Sequence, residues 1–229
     1  IYSVPPAVTG VVTSTNVQNH TNDMTSWRAA LVYKPVENGT IYFSFGTSFN
    51  PSAEGISYLN SGENYNVANE DLAPERNRNF ELGTKWNVLS NHLFLSAAIF
   101  RSEKTNARIP DPDLAGFNEL AGDQRVDGFE LQMQGQITPA WNITAGYDYL
   151  DSTTTKTTPG GPPLGFPLPF TPKNNATLWT TYLVLPNLQV GVGGQWVDKR
   201  YAQTTAPIES VPGYVEFDAS IKYQITPNY

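Results

Sequence analysis

The feature that most constrains this chain is a period of two. About nine segments, each close to the roughly 9 to 11 residues that a tilted strand needs to cross a bilayer, alternate apolar and polar side chains. They run from Trp27 to Pro35, Thr40 to Phe49, Arg78 to Trp86, Leu93 to Lys104, Val126 to Ile137, Trp141 to Leu150, Ala176 to Leu185, Leu188 to Val197 and Tyr214 to Tyr223. In the fifth, Phe129, Leu131, Met133 and Ile137 fall on one side, and Glu130, Gln132, Gln134 and Gln136 on the other. Successive strand side chains point to opposite faces, so such a segment has one dry face and one wet face. The same parity separates Ile41, Phe43 and Phe45 from Tyr42, Ser44 and Gly46, and Phe80, Leu82 and Trp86 from Glu81, Gly83 and Lys85.

The connections alternate as regularly as the residues. Short links at 36–39, 87–92, 138–140 and 186–187 interleave with long polar stretches at 50–77, 105–125, 151–175 and 198–213. An outer-membrane barrel keeps its short turns on the periplasmic side and its long loops outside. Trp86 and Trp141 sit beside short links, whereas Trp27, Phe49, Tyr149 and Trp196 sit beside long ones, as two interfacial girdles require. The core aromatics of a soluble sandwich are the competing reading, and Trp179, mid-segment with ambiguous parity, favours neither.

Composition agrees with an all-β chain. Aromatics reach 12%, charged residues only 15%, and glycine and proline number 18 each. No apolar run approaches the roughly 18 residues of a transmembrane helix, and a mean hydropathy of −0.36 is compatible with strands that are dry on one face only. A net charge of −7, with 14 scattered Lys and Arg, argues against nucleic acid as a partner. Cysteine is absent, which removes thiolate metal sites and disulfides. His20 and His92 have no partner at ligand spacing, and Asp111-Pro112-Asp113 lacks the remaining ligands of a calcium loop. Three Asn-x-Thr sequons, at Asn38, Asn142 and Asn175, read as chance matches, and the proline-rich run from Pro159 to Pro172 as a stiff outer loop.

The fold expected is an antiparallel, up-and-down transmembrane β-barrel, of which residues 1–229 are part of one domain: 1–26 an outer-loop segment, 27–229 strands and loops. Single-chain bacterial barrels have even strand numbers, and open strand edges are untenable in lipid, so further strands are expected on both sides of these nine.

The stretch Phe45-Gly46-Thr47-Ser48-Phe49-Asn50-Pro51-Ser52-Ala53-Glu54 resembles the barrel of TonB-dependent siderophore receptors, particularly the ferric-catecholate branch. Leu72 to Trp86 is similar to that family's pattern L-x-P-E followed by E-x-G-x-K, carried here by Pro74-Glu75 and by Glu81, Gly83 and Lys85. The strand end Leu95 to Asn106 and the run Gly122 to Glu130 resemble it further, and beyond Asp151 the similarity thins to alternation and loop order.

This resemblance implies a barrel of about 22 strands in the outer membrane of a Gram-negative bacterium. An N-terminal plug would occlude it, and the TonB–ExbB–ExbD system would energise it through that N-terminal part. It implies uptake of a ferric siderophore without enzymatic activity. No cofactor is expected, iron being carried only as the siderophore complex. The rivals are a passive porin-like diffusion barrel, which should lack the Pro-Glu and Glu-x-Gly-x-Lys stretches, and a soluble β-sandwich binding module.

A ferric tris-catecholate is anionic and aromatic-faced, so its binder should offer cations and flat side chains at the outer mouth. The cationic candidates are Arg76, Arg78, Arg101, Lys104, Arg108 and Arg125, and the aromatic ones Phe117, Phe166, Phe170 and Tyr201. Solvated loop positions, or contacts to lipopolysaccharide phosphates, are the plainer reading of each; outer-membrane lipid and lipopolysaccharide are expected partners. Glu81, Lys85, Glu130, Gln132, Gln134 and Asp148 are expected to line the lumen and face the plug.

Overall fold

The computed structural model describes residues 23–51, 73–110, 118–159, 161–203 and 207–225, without the side chains of 108–110, 118–121 and 203. All nine alternating segments are strands: β1 (Arg28–Val36), β2 (Gly39–Asn50), β3 (Glu75–Val88), β4 (Leu93–Pro110), β5 (Asn118–Thr138), β6 (Trp141–Lys156), β7 (Asn174–Leu185), β8 (Leu188–Val197) and β11 (Tyr214–Tyr223). They form one antiparallel sheet in the order β1-β2-β3-β4-β5-β6-β7-β8-β11, so each strand pairs with its neighbours along the chain. The last long connection folds into a small ladder of its own, β9 (Arg200–Gln203) against β10 (Glu209–Val211).

Four strands run further than the alternation indicates, β3 by three residues at its start and two at its end. β4 and β5 stay paired from Lys104↔Gln124 through Ala107↔Gly122 to Pro110↔Asn118, and β6 continues to Lys156. Most of 105–125 is therefore strand rather than loop, as is the start of 151–175. In these extensions both faces carry polar residues, and a strand wetted on both sides has no hydrophobic alternation to betray it.

Register makes the two faces explicit, because residues directly opposite on paired strands share a face. One row runs Phe43, Leu82, Ile99, Phe129, Tyr149; another runs Ile41, Thr84, Ala97, Leu131, Tyr147, Ala176, Trp196, Val215. The opposite face carries the row Tyr42, Gly83, Ala98, Glu130, Asp148, Asn175. Among the described residues only Leu93, Ala107 and Val197 are buried apolar side chains, while Phe217 is 82% and Ile221 77% exposed. The sheet has no core of its own; its apolar face demands an outside partner.

Two local devices tie the short link at 89–92. Leu89, Ser90 and Asn91 all adopt left-handed φ (51°, 56° and 68°), and the His92 N–H donates back to Leu89 O at 3.2 Å. Gly135, at φ +140°, passes so close that a Cβ there would lie 2.1 Å from His92 O, the acceptor of the Gln136 N–H. Only glycine fits that approach.

Candidate functional site

The six polar candidates occupy one face. Tyr42 lays its ring over Gly83 and donates its hydroxyl to the Glu81 carboxylate, and the Lys85 ammonium stands 5.1 Å from the same ring. Glu130 lies opposite Asp148, which accepts from Asn175 Nδ2 at 3.4 Å. Gln132 lies opposite Ser96, and Gln134 opposite Thr144. Among the described residues no group of three histidines or carboxylates could hold a metal ion.

Trp179, unplaced by the sequence, belongs here as well: it sits opposite Thr144 on one side and Gly193 on the other. Its indole lies over β8, where a Cβ on Gly193 or Gly191 would come within 2.5 and 2.8 Å of the ring. The alternating glycines of β8 were the available signal.

The cationic candidates divide between the faces. Arg76, Arg78, Arg101 and Arg125 share the parity of Phe80, Leu82, Ile99 and Phe129, so they crown the apolar face. Arg101 forks on to Asp127, Nε to Oδ1 at 2.6 Å and Nη2 to Oδ2 at 3.2 Å; Arg125 Nε approaches Asp127 Oδ2 at 2.9 Å, a charge contact without hydrogen-bond alignment. Arg78 pairs with Glu103 at 3.3 Å, and Arg76 stacks over Phe49. Arg76 and Arg78 stay near the outer end of β3, whereas Arg101 and Arg125 lie within their strands, because β4 and β5 are longer than the alternation shows. Lys104, by contrast, is on the polar face and is held 3.4 Å from Glu75, a 6%-exposed carboxylate that also accepts from Asn50 Nδ2. The backbone of Arg108 pairs with Leu120; its side chain, and the whole of Phe117, lie outside the described residues.

The remaining aromatic candidates do meet. The 157–173 connection folds back along β6: the Gly165 N–H donates to Thr154 O and the Thr154 N–H to Phe166 O, both at 2.9 Å, and the Leu168 N–H donates to Ser152 Oγ at 3.1 Å. Ser152 and Thr154 are 7% and 3% exposed, and they share the parity of Asp148, so the segment bends on to the polar-face side. There Phe166 meets Tyr201 at 4.9 Å between centroids, the Phe170 N–H donates to Tyr201 O at 2.7 Å, and the Lys199 ammonium lies 5.1 Å from the Tyr201 ring. Phe170 is 68% exposed at φ 56°, a strained conformation for a bulky residue. Asp198 fixes the base of the cluster: Asn174 Nδ2 and the Lys199 N–H both donate to it and hold its carboxyl below the usual carboxylate range. Lys199, absent from the sequence candidates, completes a set of two rings in tilted contact, an exposed third ring and an ammonium, which suits a flat anion.

The relatives are consistent with this geometry. The chain is 43% identical over 216 residues to the probable TonB-dependent siderophore receptor PiuA of Acinetobacter baumannii, covering 90% of this chain and 29% of the relative. It is 29% identical to the catecholate siderophore receptor Fiu of Escherichia coli K12, again over 90% of this chain and 27% of the relative. The crystal structure of PiuA superposes with a TM-score of 0.76 at 42% identity, over 88% of this chain and 30% of that one. That of the ferric-catecholate import receptor Fiu superposes at 0.74 and 30% identity, over 88% and 29%. The chain thus spans somewhat under a third of the relatives it matches. With the TonB dependent receptor-like, beta-barrel family model matching residues 2–229, this chain belongs to the TonB-dependent receptors and forms a stretch of their barrel wall.

Proposed function

We propose that this chain supplies barrel wall and outer mouth to a Gram-negative outer-membrane receptor that takes up ferric siderophore, of the catecholate class, with energy delivered through TonB–ExbB–ExbD. The observation that carries this reading is the Phe166, Tyr201 and Lys199 cluster with exposed Phe170, held by backbone bonds on the polar-face side of the sheet. Catecholate rings stack on flat side chains, and their negative charge favours an adjacent ammonium. The polar face then becomes the lumen, and Glu81, Lys85, Glu130, Gln132, Gln134 and Asp148 face the plug. The apolar face becomes the exterior, in contact with lipid. Iron travels as cargo within the siderophore.

The test is uptake of radiolabelled ferric catecholate by the full-length receptor in an iron-starved host lacking its own siderophore receptors, with and without TonB. TonB-dependent uptake that falls when Phe166 and Tyr201 are both replaced by alanine supports the reading. TonB-dependent uptake that those replacements leave unchanged moves the binding site elsewhere, and no uptake by a surface-exposed receptor moves the substrate. Double-mutant cycles between the six lumen residues and the plug test the wall assignment; coupling near zero throughout would remove it.

A further inference from the structure

The guanidinium cluster sits on the wrong face for the lumen, and its height explains why. Between Asp127 on β5 and Thr138 beside the lower turn the strand climbs about 36 Å along its axis, or about 25 Å vertically at the usual tilt, which is the thickness of an outer-membrane apolar band. Arg101, level with Asp127, therefore stands at the upper edge of the lipid-facing band, with Arg78, Glu103 and Arg125 one row higher and Arg125 reaching down to Asp127. Lys173, beside Asp151, joins the same belt. Five cations (Arg76, Arg78, Arg101, Arg125, Lys173) meet three carboxylates (Glu103, Asp127, Asp151), a local surplus of positive charge in a chain of net charge −7. Arg78, Arg101 and Arg125 are still 52%, 48% and 39% exposed in the side chain, and each guanidinium has more donors than its carboxylate contacts use. Directly beneath runs a furrow between Leu82, Ile99, Phe129 and Leu131, floored by Thr84 and Ala97.

We propose that this exterior surface of β3, β4 and β5 is a docking site for a phosphorylated outer-leaflet lipid of the lipid A class. Its acyl chains lie in the furrow, and its phosphates meet the guanidiniums of Arg78, Arg101 and Arg125. An apolar trough capped by a cationic row at headgroup height fits an amphiphile with phosphates directly above several chains, and guanidinium forks suit phosphate oxygens. The proposal rests on the outer-membrane reading but not on the choice of siderophore.

The test is native mass spectrometry of the purified full-length receptor, delipidated and then exposed to bis-phosphorylated lipid A, dephosphorylated lipid A or phosphatidylglycerol. Retention of the bis-phosphorylated form is expected to exceed that of the dephosphorylated form by about tenfold, and to exceed that of phosphatidylglycerol. Combined Arg78→Gln, Arg101→Gln and Arg125→Gln should abolish the difference. If that variant does not fold because its carboxylates lose their partners, Arg101→Gln with Asp127→Asn removes one charge of each sign, leaves the 39%-exposed Arg125 as the cation there, and should still cut retention at least about threefold, whereas Asp127→Asn alone should not lower it. Retention unchanged in the variants, or equal retention of the dephosphorylated lipid or of phosphatidylglycerol, overturns the proposal. Ferric catecholate binding by the same variants should be unaltered, which separates this failure from that of the transport reading.

Discussion

Replacing Tyr201 by alanine should uncouple two outer connections that the chain order keeps far apart. Tyr201 lies 4.9 Å from Phe166 and 5.1 Å below the Lys199 ammonium. An aromatic pair contributes about 0.5–1.5 kcal/mol and an exposed cation–π contact about 0.5–1 kcal/mol, so Tyr201→Ala should lower the local opening free energy by about 1–2.5 kcal/mol. Phe166→Ala removes only the ring pair. A double-mutant cycle between the two should therefore isolate a coupling of about 0.5–1.5 kcal/mol, equivalent to about a 2- to 13-fold change in amide exchange. The reporters are the Phe170 N–H, bonded to Tyr201 O, and the Gly165 N–H, bonded to Thr154 O. Hydrogen exchange on the full-length receptor in detergent reads both. Coupling below about 0.3 kcal/mol, within the range of independent sites, or Phe170 exchange unaffected by Tyr201→Ala, would refute the view that these rings hold the loops together.

Three further outcomes follow from the geometry. Gly135→Ala should cost more than about 3 kcal/mol, since the new Cβ meets backbone at His92 in a φ region hostile to side chains; the fraction showing a folded, heat-modifiable electrophoretic band should collapse, and a normal band would contradict the close approach. Ser90→Gly, at φ 56°, should stabilise the lower turn by about 1 kcal/mol in urea titrations from lipid vesicles, and a loss of stability would argue against the left-handed turn. Asp198→Asn should weaken the protection of the Lys199 amide at pH 7. The Asp198 carboxyl is held below its ordinary range in the folded state, so its contribution is complete above that ordinary value, near pH 4, and is lost as the pH falls through the folded one. Wild type and variant should converge in strong acid; a difference that persisted there would place the effect elsewhere.

The membrane-crossing part of the fold was legible because one wet face and one dry face impose a period of two, and β8 and β11 end where that period ends. The upper halves of β4, β5 and β6 were hidden, since water on both sides removes the contrast. The porin-like alternative gave way to the family match over residues 2–229; the soluble sandwich gave way to a nine-stranded sheet whose apolar face is uncovered among the described residues. Placing the arginines needed only continued counting: Arg78 shares the parity of Phe80 and Leu82, and Arg101 that of Ile99. The meeting of Phe166 with Tyr201 was not readable, because it depends on backbone bonds between connections separated by two strands, and Lys199 was missed for the same reason. Trp179 resisted because threonines flank it on both parities; its place follows from the glycines across the ladder. The expected outer-loop segment 1–26 lies mostly outside the described residues.

Strand length rises from 9 residues in β1 to 21 in β5 and falls back to 10 in β8. Among the described residues the upper edge of the sheet is therefore not level. At about 3.3 Å per residue the β4–β5 hairpin overtops the ends of the wall by some tens of ångströms along the strand axis, standing as a parapet on one side of the opening. Bulky agents such as antibodies or phage fibres arriving from outside therefore meet the upper ends of β4 and β5, paired as far as Pro110 and Asn118, before they reach the rings held beside Thr154.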